Sequence, residues 1–141
     1  MKIVVASDEK TSLTDFVVDY LKSHDHEITL LGDLKEKNGK WAEIGKEAAT
    51  LVAEKKAEQG VIFCWSGTGI TMAANRIKGA RAALCWTPEI TKLARKWDDA
   101  NILVMALVNT PNRIAKEILD TWFSTEFGEE GLNEAYKLDK S

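Results

Sequence analysis

Hydrophobic and polar positions alternate along this chain with two different periods. Short aliphatic and β-branched runs fall at 2–6, 27–31, 60–64, 80–84 and 101–106, and such runs read as buried strands. Between them apolar residues recur at helical spacing, which predicts helices over 12–23, 41–56, 68–77, 88–96 and 111–123, with a last short one over 129–136. Thr87-Pro88-Glu89 and Thr110-Pro111 each set a capping residue before a proline at the first helical position. Strand–helix alternation with short connections predicts a five-stranded parallel sheet in a three-layer α/β/α, Rossmann-like domain. The flavodoxin-like strand order 2-1-3-4-5 is expected. Ligands in such sheets bind beyond the carboxyl ends of the strands, beside strands one and three. Those ends carry Ser7-Asp8-Glu9 and Cys64-Trp65-Ser66-Gly67, and the polar loop 33–40 is placed to flank them.

Length makes this one domain, residues 1–141, with a core that needs no disulfide or metal to hold it. A hydrophobic share of 45% against 29% charged argues for a folded chain. The net charge of −3, with the signs interspersed, provides neither a nucleic-acid footprint nor a membrane patch. Small molecules are the expected partners. The apolar run at the N-terminus is too short for a signal peptide, and no stretch reaches membrane-spanning length, so the expected location is the cytoplasm. Cys64 and Cys85 form no Cys-x-x-Cys pattern, and both are expected reduced. A disulfide stays open on spacing alone, because the two can end neighbouring strands.

Chemistry concentrates where the third strand runs into Cys64, Ser66, Gly67 and Gly69 before a helix begins. The first turn of a helix has unpaired N–H groups and the positive end of its dipole, which favour an anion or a developing negative charge. A thiol in that field can be lowered toward neutrality and serve as a base or nucleophile. A tight turn without a ligand is the alternative reading of the same glycines.

Other motifs fit less well. Gly67-Thr68-Gly69 starts like a dinucleotide fingerprint, but Met72 stands at the third glycine position and no Gly-Lys-Ser/Thr makes a Walker loop. Asp8 and Glu9 could be the acidic pair of a phospho-receiver, yet Cys64-Trp65-Ser66 stands where that needs an aspartate. Cys85 follows Ala82-Ala83-Leu84 without nearby donors and reads as structural. His24 and His26 lie in the turn before strand two with no third ligand in the pattern, so neither a metal nor a cofactor is expected. This leaves the inferred active edge without histidine, the usual proton carrier near neutral pH. Trp41, Trp65, Trp86 and Trp97 are placed at or near that edge, either as core or dimer packing or as stacking surface for a sugar ring.

Over nearly its whole length the chain resembles the ribose-5-phosphate isomerase B and galactose-6-phosphate isomerase family. The resemblance rests on Lys2 to Asp8, on Cys64 to Asn75 with the following Arg76 to Cys85, and on Asp98-Asp99-Ala100-Asn101. It implies metal-free interconversion of an aldose and a ketose phosphate through a cis-enediolate, in dimers or tetramers with sites between subunits. Cys64 matches the cysteine that moves the proton between C1 and C2, and Ile70 stands where some relatives place a glutamate. Ser66 matches the hydroxyl of the anion hole, Gly67 and Gly69 the glycines of its loop, Asp8 the acid that contacts substrate hydroxyls, and Asp98 a polar residue of the sugar site. With them Glu9, Trp65, Thr68 and Trp97 complete the expected substrate-binding set. The departures are as specific. Trp97 occupies the place of the ring-opening histidine, Glu9 that of the histidine after the first aspartate, and Val108 that of a phosphate-gripping arginine. The C-terminal Arg-His cluster is replaced by Gly128 to Glu134, leaving Lys10, Arg113, Lys137 and Lys140 as candidate phosphate cations. The reading is an aldose–ketose isomerase of a small sugar phosphate of the ribose 5-phosphate type. Its alternatives are an isomerase of an open-chain or unphosphorylated sugar, and a sugar- or anion-binding module without catalysis.

Overall fold

The three central strands are apolar on both faces, so each needs a helical layer on either side. In the computed structural model, which describes residues 1–37, 39–128 and 132–140, the elements follow the expected rhythm. They are β1 (Lys2–Ser7), α1 (Ser12–Ser23), β2 (Glu27–Gly32), α2 (Trp41–Ala53), β3 (Gln59–Cys64), α3 (Thr68–Ala74), β4 (Ala82–Leu84), α4 (Pro88–Asp98), β5 (Ile102–Ala106), α5 (Asn112–Ser124) and α6 (Leu132–Leu138). The last helix thus runs later than expected, and residues 129–131 of the expectation lie outside the described residues.

One face of the sheet buries Ile3, Val5, Val61, Phe63, Leu103 and Met105 against α1, α4 and α5. The other buries Val4, Ala6, Ile62, Cys64, Ile102 and Val104 against α2 and α3. Cys64 and Cys85 therefore belong to opposite layers, and both are free thiols, which removes the disulfide alternative.

All strand pairs are parallel, but the order is β2-β1-β3-β5-β4, so the expected places of the last two strands are exchanged. The physical reason is visible in the two strands. Ile102-Leu103-Val104-Met105-Ala106 is buried throughout, whereas Ala82-Ala83-Leu84 is short, small and half-buried. The more apolar strand takes the interior place because it gains more from cover on both faces. Right-handed crossovers then require α3 and α4 to lie on opposite faces, as they do. At the exposed edge the Asn75 side chain pairs with the Ala82 backbone in both directions, at 2.9 and 2.8 Å, standing in for a missing strand.

Arg81 fastens the far end of the molecule. Its guanidinium reaches the Asp99 carbonyl at 2.7 Å, Asp99 Oδ2 at 3.2 Å and Asp139 Oδ2 at 3.0 Å, joining the ends of α4 and α6 to the start of β4.

Candidate active site

β1 and β3 are neighbours, so their carboxyl ends bring Asp8 and Cys64 to one place. A hollow of about 220 Å³ opens there, lined by Asp8, Trp41, Cys64, Trp65, Ser66, Thr68 and Gly69. The exchanged strand order matters locally. With β5 beside β3, the N–H groups of Leu107 and Val108 donate to the carbonyls of Cys64 and Trp65, each at 3.0 Å, and hold the strand end rigid.

Gly67 makes the turn into α3. Its φ of +77° lies in the left-handed region, and a Cβ there would sit 2.5 Å from Leu84 Cδ1. Its carbonyl accepts from the Thr71 hydroxyl at 2.6 Å. The Ser66 and Thr68 hydroxyls stand 2.7 Å apart at the mouth of the hollow, so one donates to the other and the accepting hydroxyl keeps its own hydrogen for a ligand. A Cβ on Gly69 would meet the Trp41 ring at 3.0 Å, so the indole rests directly on the glycine. Trp41, expected from the sequence only near this edge as packing or as a stacking surface, is a wall of the hollow. Its signal was its place, first in the helix that follows the polar loop expected to flank the ligand.

Asp8 Oδ1 is buried without a hydrogen-bond partner. Burial first, then the neighbouring Glu9 and Asp33 carboxylates, push its carboxyl above the usual range, against a lowering by its own backbone N–H. Such a group gains from a hydroxyl donor. Glu9 itself is exposed and lines an adjoining hollow with Lys10, Asp33 and Lys37, so the loop does flank the site as expected. Ser7 below it is fully buried, its hydroxyl tying the turn by accepting from Glu9 N–H at 3.1 Å.

Trp97 and Asp98 are elsewhere. α4 leaves the carboxyl end of β4 and returns to the start of β5, so its last residues lie at the opposite edge of the sheet from Cys64. There Asp98 lines a separate hollow of about 400 Å³ with residues from Asn75 to Ala83. Placing Trp97 at the Cys64 edge is thereby corrected; Trp41, Trp65 and Trp86 are at that edge, and a helix of α4's length carries Trp97 away from it. Cys85 is fully buried, with burial pushing its thiol up to about 11, which fits a packing role. Both histidines sit between α1 and β2: His24 Nδ1 lies 2.7 Å from the Tyr20 carbonyl, and His26 stacks on Phe123. Among the described residues no cluster of three or more His, Cys, Asp or Glu could hold a metal, and no helix is long and apolar enough to cross a membrane.

Comparison with known proteins gives the family and the fold. The family profile described as Ribose/Galactose Isomerase matches residues 3–140. The chain is 33% identical to the ribose-5-P isomerase B of Listeria innocua over 90% of its own length and 86% of the relative's. It is 27% identical to the D-erythrulose-4-phosphate isomerase of Pectobacterium atrosepticum, over 99% and 92%. The solved ribose-5-phosphate isomerase B of Clostridium thermocellum superposes with a TM-score of 0.92 at 30% identity, covering 99% of this chain and 96% of that one.

Proposed function

Because the chain belongs to the ribose/galactose isomerase family and is a sugar-phosphate isomerase of it, we propose that Cys64 carries the proton between C1 and C2 of a small aldose phosphate. The observation that carries this reading is the meeting of Cys64, Ser66 and Asp8 on one hollow at the switch point of the sheet. The Cys64 thiolate takes the proton from C2 of the open-chain aldose. The electron pair flows toward the C1 carbonyl oxygen, giving a cis-enediolate. The hydroxyl proton on O2 passes to O1, and the Cys64 thiol returns its proton to C1, leaving the ketose. An enediolate oxygen is stabilised by donors fixed before the reaction, and Ser66 with the backbone N–H groups around Gly67 to Gly69 has that place. Asp8 accepts hydrogen bonds from substrate hydroxyls, and Trp41 and Trp65 offer faces to the C–H side of the sugar.

We further propose a homodimer. Trp86 before α4, and Ile90, Leu93 and Trp97 along it, are 59%, 43%, 50% and 40% exposed and recur at helical spacing, which makes one apolar stripe. The stripe runs from the Cys64 edge to the opposite one. A second copy is the means by which Trp97 and Asp98 could reach a Cys64 hollow. The reaction and the reduced thiol fit the cytoplasm.

Incubation with tetrose, pentose and hexose phosphates in D2O tests the reading. Deuterium should enter C1 or C2 of one sugar with aldose–ketose conversion, and Cys64→Ala should stop both. Near-full turnover by that variant would sink the assignment.

A further inference from the structure

α4 has its two ends at opposite edges of the sheet, so the way two copies meet along it decides what each lends to the other's site. Glu89 and Lys96 flank Leu93 at helical spacing on the same side of the apolar stripe, and Lys96 lies over the Trp97 ring, 5.6 Å from its centroid. Twofold symmetry allows two arrangements of the helices. Parallel, Glu89 would face Glu89, Lys96 would face Lys96, and the two dipoles would repel. Antiparallel, Glu89 of each copy lies across from Lys96 of the other, and the dipoles attract. Charge and dipole both favour the antiparallel pair. The Asp98 end of α4 then meets the second copy's Cys64 edge, and symmetry repeats the contact at the other site.

Asp98 is equipped for that place. It faces the hollow of about 400 Å³ at its own edge of the sheet, so its carboxyl group has room for a ligand before it. Among the described residues no cation or hydrogen-bond donor engages it, while Arg81 and Arg95 hold the adjacent Asp99 at 3.2 and 3.7 Å. Burial pushes the Asp98 carboxyl above its usual range, and cover by a second copy adds to that burial. Trp97 beside it has only an indole N–H, which donates a hydrogen bond but does not act as an acid.

A pentose or hexose phosphate reaches an isomerase almost entirely as a ring, and the ring must open before Cys64 can take a proton from C2. Opening needs a base for the anomeric hydroxyl and an acid for the ring oxygen, on two sides of the anomeric centre. We infer that Asp98 of one copy is the acid that opens the sugar ring in the Cys64 hollow of the other, with Asp8 of that hollow as the base. This rests on the isomerase and dimer readings above and adds a catalytic residue to them. The Asp8 carboxylate takes the proton of the anomeric hydroxyl, and the electron pair of that oxygen forms the C1 carbonyl. The bond between C1 and the ring oxygen breaks, and the Asp98 carboxylic acid gives its proton to the ring oxygen. Exchange with water then returns each carboxyl group to its starting form, and the open aldose stays for the transfer at Cys64.

Three measurements with ribose 5-phosphate and the full-length protein test it. First, Asp98→Asn, which keeps the shape of the side chain, should lower kcat/KM at least about a hundredfold, mostly through kcat. Its rate with rising enzyme should level off at the spontaneous ring-opening rate measured by magnetisation transfer. Second, Cys64→Ala, which stops after opening, should still accelerate exchange between the anomers, and the double variant Cys64→Ala with Asp98→Asn should not. Third, co-expressed Cys64→Ala and Asp98→Asn chains should regain about a quarter of the wild-type rate, since about half of the dimers are mixed and each of these has one site with both groups intact. Near-wild-type turnover by Asp98→Asn, anomer exchange that survives the double substitution, or a mixture no more active than its parts would each overturn the inference and leave the isomerase reading standing. So would a wild type that converts ribose 5-phosphate no faster than its ring opens unaided. Deuterium entering no tetrose, pentose or hexose phosphate would overturn both.

Discussion

Cys64 combines two properties that rarely occur together: it closes the apolar face of β3 and it lines a hollow open to solvent. Replacing it with alanine removes the proton carrier while opening little space, so kcat should fall on the order of a thousandfold with the thermal midpoint nearly unchanged. Steady-state kinetics beside calorimetry check this, and Cys85→Ala in the opposite layer should leave turnover close to normal. Ser66→Ala should lower kcat on the order of a hundredfold with little change in KM, because the donor acts when charge develops. Asp8 shows the usual tension between activity and stability. Folding raises its carboxyl, mainly by burial, so the folded chain holds that proton more tightly than the unfolded one. Ionising it as pH rises through the folded value therefore costs stability. Asp8→Asn should raise the thermal midpoint above that value, lose the gain below the ordinary carboxylate range, and lower kcat/KM at every pH where the wild type works. Melting curves across pH, paired with rates, read both effects.

Among the elements, the turn from β3 into α3 is the most constrained. Gly67 is left-handed and abuts Leu84, so Gly67→Ala should cost about 2 kcal/mol in denaturant unfolding and misplace Ser66 along with it. A variant of unchanged stability would show that the turn relaxes freely. α4 has a different duty. Its inner face packs Thr91 and Ala94 into the core, while Ile90, Leu93 and Trp97 form an exposed apolar row. Leu93→Lys should give a folded monomer with activity much reduced, seen by sedimentation and kinetics at the same concentration. A wild-type protein that sediments as an active monomer at micromolar concentration would refute the interface.

At the scale of the whole molecule the four candidate phosphate cations divide between the two edges of the sheet. Lys10 and Arg113 follow β1 and β5 and so lie at the Cys64 edge, although Lys10 is paired with Asp15 at 2.7 Å and Arg113 lies 3.9 Å from Glu117. Lys137 and Lys140 belong to the α6 end, anchored near Asp99 through Asp139 at the opposite edge, and could serve a site in a second copy only. Glu129 and Glu130, in the segment that replaces the family's C-terminal Arg-His cluster, fall outside the described residues. Neutralising the four cations one at a time should raise KM for the phosphorylated substrate about tenfold or more at one of them, with a much smaller effect on the dephosphorylated sugar. Changes within about twofold at all four would favour an unphosphorylated substrate.

Periodicity along the chain was enough to read five strands, the intervening helices and the parallel sheet, because apolar spacing is a local property that survives without knowledge of neighbours. The reactive cluster was legible for the same reason: Cys64, Ser66, Gly67 and Gly69 are consecutive or nearly so. Order among parallel strands is not local. β5 displaced β4 from the interior through the difference between five fully buried residues and three half-buried ones, a competition that appears only when the sheet is assembled. Trp41 became a wall of the hollow, and Trp97 and Asp98 lie away from the hollow of their own chain, through the same kind of cause. A helix carries its two ends to opposite edges of the sheet, so chain distance from a strand end says little about distance from the ligand until the crossover is placed.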